Sequence, residues 1–190
     1  MQVFRSRAAR VLAVAVVSVM ALSVLVVALS QGVLVAAISL PPAMLFSFLA
    51  LLLFWFPRVE VDDYGVRILN VFREVKVSWG AIKRIDTRWA LEITTSEGRY
   101  TAWGATAPGR HSSIFASRDQ GQHLPESTYI AGTVRPGDLI TSDSGAAAAH
   151  IRRIWEAGRD KNLEAQVRVR WHFGKLAGLL VLLLLNLISF

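Results

Sequence analysis

The chain has 190 residues, 53% of them hydrophobic, with a mean hydropathy of +0.42 and a formal charge of +7, values too apolar for an ordinary soluble protein. Cysteine is absent, which excludes disulfides, thiolate metal sites and a cysteine nucleophile. All 14 acidic residues lie between Glu60 and Glu164, so the polar residues can build one small domain in the middle of the chain and no second one.

From Val11 to Phe56 there is no Asp, Glu, Lys or Arg. A helix rises about 1.5 Å per residue and needs about 20 apolar residues to cross about 30 Å of hydrocarbon, so this run holds two spans. Ser30-Gln31-Gly32 and the Pro41-Pro42 pair are the available breaks, which predicts helix one over Val11–Leu29 and helix two over about Val33–Phe56. A cleaved signal peptide is the rival reading of the first run, but its apolar stretch exceeds the roughly 7 to 15 residues of a signal core. Arg5, Arg7 and Arg10 precede the pair and Arg58 follows it, whereas the segment between the helices is uncharged. Short basic loops stay in the cytoplasm, which predicts a multi-pass protein of the inner (plasma) membrane with the chain after Pro57 inside.

Beyond Pro57 the pattern alternates, as in half-buried strands. Val59 and Val61 alternate with Glu60 and Asp62, Asp62-Asp63-Tyr64-Gly65 signals a turn, and Val66–Val71 returns as the second strand of a hairpin. Val75 and Val77 mark a third strand, Ile82 and Ile85 a fourth, and Leu91 and Ile93 a fifth. Ser96-Glu97-Gly98 then turns the chain into Arg99–Trp103. No helix separates these strands, which predicts an antiparallel sheet curling toward a barrel. Gly, Ser, Pro, His and Thr dominate from Gly104 to Gly145, read as a long loop with a small hairpin around Arg135-Pro136-Gly137-Asp138. Ser144 then caps an amphipathic helix over Ala146–Asn162, with Ile151, Ile154 and Trp155 on one face. Val167 and Val169 alternate with Arg168 and Arg170 on the way to a C-terminal apolar run from Leu176 to Phe190, which reaches a full span if counted from Trp171 with Lys175 snorkelling.

The stretch from Phe56 to Ala105, above all VEVDDYGVRILNVFREVKVSWGAIKRID followed by GRYTAWGA, resembles the bacterial pleckstrin-homology-like (PH-like) domains of small actinobacterial membrane proteins. The resemblance rests on the acidic-to-glycine turn before Val66, the Trp79-x-x-Ile82 step and the strand from Gly98 to Trp103. It implies a PH-like split antiparallel β-barrel of two orthogonal sheets, capped by a C-terminal α-helix, and brings no catalytic motif. The organisation expected is therefore transmembrane helices plus a mainly β domain. It comprises a tail and two-helix hairpin over 1–57, the PH-like domain over 58–170 with a flexible insertion at about 104–145, and a C-terminal span over 171–190.

Nothing in the sequence is arranged for chemistry. His111, His123, His150 and His172 are not spaced to share a helix face with a carboxylate, no glycine-rich phosphate loop follows a strand, and Asp62 and Asp63 are turn formers. No catalytic residue, cofactor or metal is assigned, and no nucleic-acid partner is expected, because the charge is not arrayed with stacking aromatics. Trp79, Trp89, Trp103 and Trp155 are expected in the core. The candidate lipid- or partner-binding residues are Arg67, Arg73, Lys76, Lys83, Arg84 and Arg88. Two functions follow: a non-enzymatic module binding a protein partner within the membrane, or sensing of anionic lipid headgroups by that basic set. Self-association through the small-residue face of Ala13, Val17 and Ala21 is a further option, less specific than either.

Overall fold

The computed structural model describes residues 1–106, 129–130, 133–134, 142–158 and 164–189. In chain order its elements begin with β1 (Gln2–Phe4), α1 (Arg7–Gln31), α2 (Val33–Ala50), β2 (Arg58–Val61), β3 (Gly65–Leu69) and β4 (Arg73–Ser78). They continue with β5 (Arg84–Asp86), β6 (Ala90–Thr94), β7 (Arg99–Thr106), β8 (Tyr129–Ile130), β9 (Thr133–Val134), α3 (Asp143–Ala157), β10 (Val167–Trp171) and α4 (Phe173–Ser189). Two compact units emerge: Met1–Ser6 with Pro57–Arg170, and Arg7–Phe56 with Trp171–Phe190.

The second unit is helical. The 25 residues of α1 measure about 37 Å at 1.5 Å per residue. α2 continues through a π-helical turn at Leu51–Trp55, and the combined 23 residues measure about 34 Å. Both are long and apolar enough to cross a membrane. The break between them falls at Gly32, whose φ of 92° favours glycine. α2 runs through Pro41 and Pro42 rather than breaking there, although neither proline has an amide to donate to the carbonyl one turn earlier. The buried residues of α1 and α2 are small, Ala13 in the first and Ala36 and Ala50 in the second, as close helix approach requires, and Leu52 is buried in the π-helical turn. The 17-residue α4 is shorter, about 25 Å, and its Gly178 lies against Phe48 of α2. The Arg10 guanidinium stands 4.5 Å over the Trp55 ring and the Lys175 ammonium 5.0 Å over Phe56.

The first unit consists of antiparallel sheets. A five-stranded sheet has the order β1-β2-β3-β4-β10, a three-stranded sheet the order β5-β6-β7, and β8 pairs with β9. Register follows the alternation: Val59 faces Ile68, Val61 faces Val66, and Val66 and Ile68 face Val77 and Val75. The apolar set of all three strands thereby lands on one face. Both hairpin turns are pinned by side-chain oxygens. Asp62 Oδ1 accepts from the amides of Tyr64 and Gly65, and Thr95 Oγ1 from those of Glu97 and Gly98. The inner face of the larger sheet, Ile85, Leu91, Ile93 and Ala102 of the smaller one, and Ala147, Ala148 and Ile151 of α3 form one buried core.

The two sheets meet at a corner built by Asn70 and Gly104. The buried Asn70 amide donates to the Thr101 carbonyl (2.8 Å) and accepts from the Trp103 amide (2.9 Å), acting as a one-residue strand partner for β7. Just beyond, Ala90 faces Thr106 whereas Leu91 faces Ala102, so Trp103–Ala105 bulge out of the ladder. The bulge carries Gly104 so close to β2 that a Cβ there would come within 2.6 Å of the Pro57 carbonyl carbon and Arg58 Cα.

Several boundaries differ from the sequence expectation. Ser142, not Ser144, caps α3, its Oγ accepting from the Gly145 amide at 2.9 Å, and the helix ends at Ala157 with Gly158 as its C-cap rather than at Asn162. The last strand of the second hairpin runs on to Thr106, and the hairpin expected around residues 135–138 lies outside the described residues. Trp79 is buried and Trp155 packs on the core, but Trp89 and Trp103 are 73% and 55% exposed: one lies in a turn, the other in the bulge. Two strands were not foreseen. β1 pairs with β2 (Phe4 with Val59), and β10 lies beside β4, where Ser78 and Gln166 exchange hydrogen bonds.

Two outcomes follow. Gly104→Ala forces a methyl into the backbone of β2 and should cost about 2 kcal/mol or more, read by thermal unfolding of the detergent-solubilised chain. The His150 ring on α3 packs at a tilt of 50° against Phe4 of β1, centroids 5.5 Å apart, and burial together with Arg153 lowers its pKa below the usual 6.5. A base with a depressed folded pKa contributes its stability above about pH 6.5 and loses it as pH falls toward the folded value. Unfolding midpoints should therefore drop on the acid side of pH 6.5, and His150→Gln should flatten that drop.

Candidate functional site

Because the valines and Ile68 of β2, β3 and β4 occupy the inner face, strand alternation turns Arg58, Glu60, Arg67, Glu74 and Lys76 to the outer one. Glu60 and Glu74 are nevertheless only 4% and 5% exposed. Arg67, directly opposite Glu60 on the neighbouring strand, spans the two: its Nε lies 2.6 Å from Glu74 and its Nη1 3.2 Å from Glu60. Arg58 Nε adds a 2.6 Å contact to Glu60, and Lys76 Nζ stands 3.8 Å from Glu74. The hydrogen bond that Arg67 donates to Glu74 is the main reason that the Arg67 pKa is raised further, so its charge is fixed at every accessible pH.

The six basic residues picked out in the sequence divide between the sheets. Arg67, Arg73 and Lys76 belong to β3 and β4; Lys83, Arg84 and Arg88 lie on β5 or beside it. Arg67 is held by carboxylates and Arg84 pairs with Asp86 at 3.1 Å. Arg73 is half-buried at the start of β4, and Lys83 is exposed. Arg88 lies 5.7 Å over the exposed Trp89 ring.

A cleft of about 350 Å³ opens on the outer face of β3, β4 and β10. Arg67, Lys76 and Arg168 line it together with Ser78, Gln166 and the Asp62–Val66 turn. Sequence reasoning missed Arg168 and Gln166 because their alternating segment looked like a lead into the membrane. The Ser78 hydroxyl is already committed, donating to the Glu164 carbonyl and accepting from the Gln166 amide, each at 2.8 Å. The cleft therefore offers cationic donors and no activated nucleophile.

Residues 56–138 match the family described as Bacterial PH domain. The chain carries a bacterial PH domain. The match begins at Phe56, takes in β2 to β9, and runs past Ala105 to residue 138, so most of the stretch expected as an insertion falls inside the family's span. α3 and β10 lie beyond it. No curated protein and no solved structure matches the chain. The family match brings no enzyme domain with it.

Arg67→Ala would leave Glu60 and Glu74 buried without their shared cation. Because Arg67 is itself partly exposed, water offsets some of that loss, and the expected cost is about 2 kcal/mol. Denaturant unfolding should show it, with Arg67→Lys recovering only part because an ammonium cannot fork between both carboxylates.

Proposed function

We propose that this chain is a membrane-anchored, non-enzymatic interaction module, its PH domain binding a protein partner or stabilising a membrane complex at the cytoplasmic face. The observation that carries this is the pairing of β1 with β2. Gln2, Val3 and Phe4 hydrogen-bond in register with Val61, Glu60 and Val59, so the chain leaves the sheet into α1 and returns to it from α2. A bilayer taking in both long apolar helices must then be crossed twice, with both ends on one side. The flanks at that end are basic: Arg5, Arg7, Arg10 and Arg58, with Arg168, Arg170 and Lys175 ahead of α4. Short loops with such flanks remain cytoplasmic, and the Gly32 connection is uncharged. The cation–π contacts of Arg10 and Lys175 suit headgroup level, and α4 with Trp171 adds a third membrane segment.

A protein partner is favoured over headgroup sensing because Arg67 and Arg84 are neutralised within the domain and the candidate cations face two different sheets. Lys83 and Arg88 keep the lipid reading alive as the second choice.

The absence of native cysteine makes a direct test available. A cysteine placed at Asp63, in the exposed first turn, should resist an impermeant maleimide in intact cells and react once the membrane is opened. A cysteine at Gln31 should show the reverse. Crosslinking in membranes followed by mild-detergent purification should recover a second protein in fixed ratio. Labelling of the Asp63 site from outside would sink the orientation, and recovery of the chain alone would sink the partner.

A further inference from the structure

We infer that the cleft on β3, β4 and β10 is a docking site for an extended acidic segment of a partner protein, an assignment that rests on the protein-partner reading above. Arg67 and Lys76 are direct cross-strand neighbours on one face, and Arg168 lines the same cleft. Like charges placed opposite one another disfavour a sheet unless an anion lies between them. Glu74 answers Arg67 at 2.6 Å but reaches Lys76 only at 3.8 Å, and the Lys76 side chain is 59% exposed. Arg168 is exposed and has no ion pair among the described residues. The one carboxylate in the lining, Asp62, has Oδ1 engaged by its own turn amides. Two cations are thus left without a close counter-charge beside the Gln166 side chain, a donor set that suits carboxylates.

The open backbone edge beside the cleft selects a protein segment. The cleft borders the turn between β2 and β3. The cleft also adjoins a sheet edge. β10 is the outermost strand and its residues from Arg168 to Trp171 are exposed, so an incoming strand can pair with its backbone while presenting side chains to Arg168. A second copy of β10 fits badly, since Arg168 and Arg170 would approach their own counterparts.

The test uses the full chain in nanodiscs of neutral lipid and a short fluorescent peptide alternating Glu and Val, with a peptide alternating Gln and Val as control. The acidic peptide should bind, and Lys76→Gln with Arg168→Gln should weaken it about tenfold or more at an unchanged unfolding temperature. Neutralising Arg99 and Arg153, exposed cations outside the cleft, should leave binding as it was. The proposal is overturned if the Gln peptide binds equally well, if the Arg99/Arg153 variant loses as much, or if no binding occurs, as for edge arginines that serve only to block aggregation. Displacement of the peptide by phosphatidylserine vesicles, but not by neutral ones, would assign the cleft to headgroups and overturn it too. Failure here with a partner still recovered by crosslinking removes this site and leaves the membrane-module reading intact.

Discussion

Two carboxylates with almost no access to water share one guanidinium across three strands, and the registration of the larger sheet hangs on that arrangement. Glu60 on β2 and Glu74 on β4 are each tied to Arg67 on the strand between them. A slip by one residue would turn the valines outward and drive Arg67 into the core, so the apolar pattern and the ion triad enforce the same alignment. The triad also decides which cations remain available. Arg67 is consumed in holding the sheet, which leaves Lys76 and Arg168 as the cations of the proposed docking cleft.

The elements with strong local signals were legible from sequence. Both hairpins announced themselves through Asp62-to-Gly65 and Ser96-Glu97-Gly98, and the apolar stripe of α3 through Ile151, Ile154 and Trp155. The long helices followed from the absence of charge between Val11 and Phe56. What escaped depends on partners distant in the chain. The three residues of β1 are too few to show a period, and β10 reads as a strand only once β4 is seen beside it. Exposure of Trp103 follows from a bulge, and the bulge from Asn70 holding β7 at a corner, which no local pattern encodes.

The candidate site shows the same division. That Arg67, Arg73, Lys76, Lys83, Arg84 and Arg88 are basic was plain, but whether a cation is free or spent depends on what stands opposite, and register alone supplies that. Arg84 meets Asp86 along its own strand, whereas Arg67 meets carboxylates on both neighbours. Arg168 arrives from almost a hundred residues further on, as the Ser78–Gln166 hydrogen bonds require.

The place of β1 bears on biogenesis. Its partner β2 is synthesised only after the whole helical hairpin, so Gln2–Phe4 have no strand to join until both helices have been made. Were one of the two helices left out of the bilayer, Phe4 and Val59 would finish on opposite faces and the outer edge of β2 would stay open. In the proposed orientation, therefore, the β1–β2 ladder closes only where the helical hairpin crosses the membrane both ways.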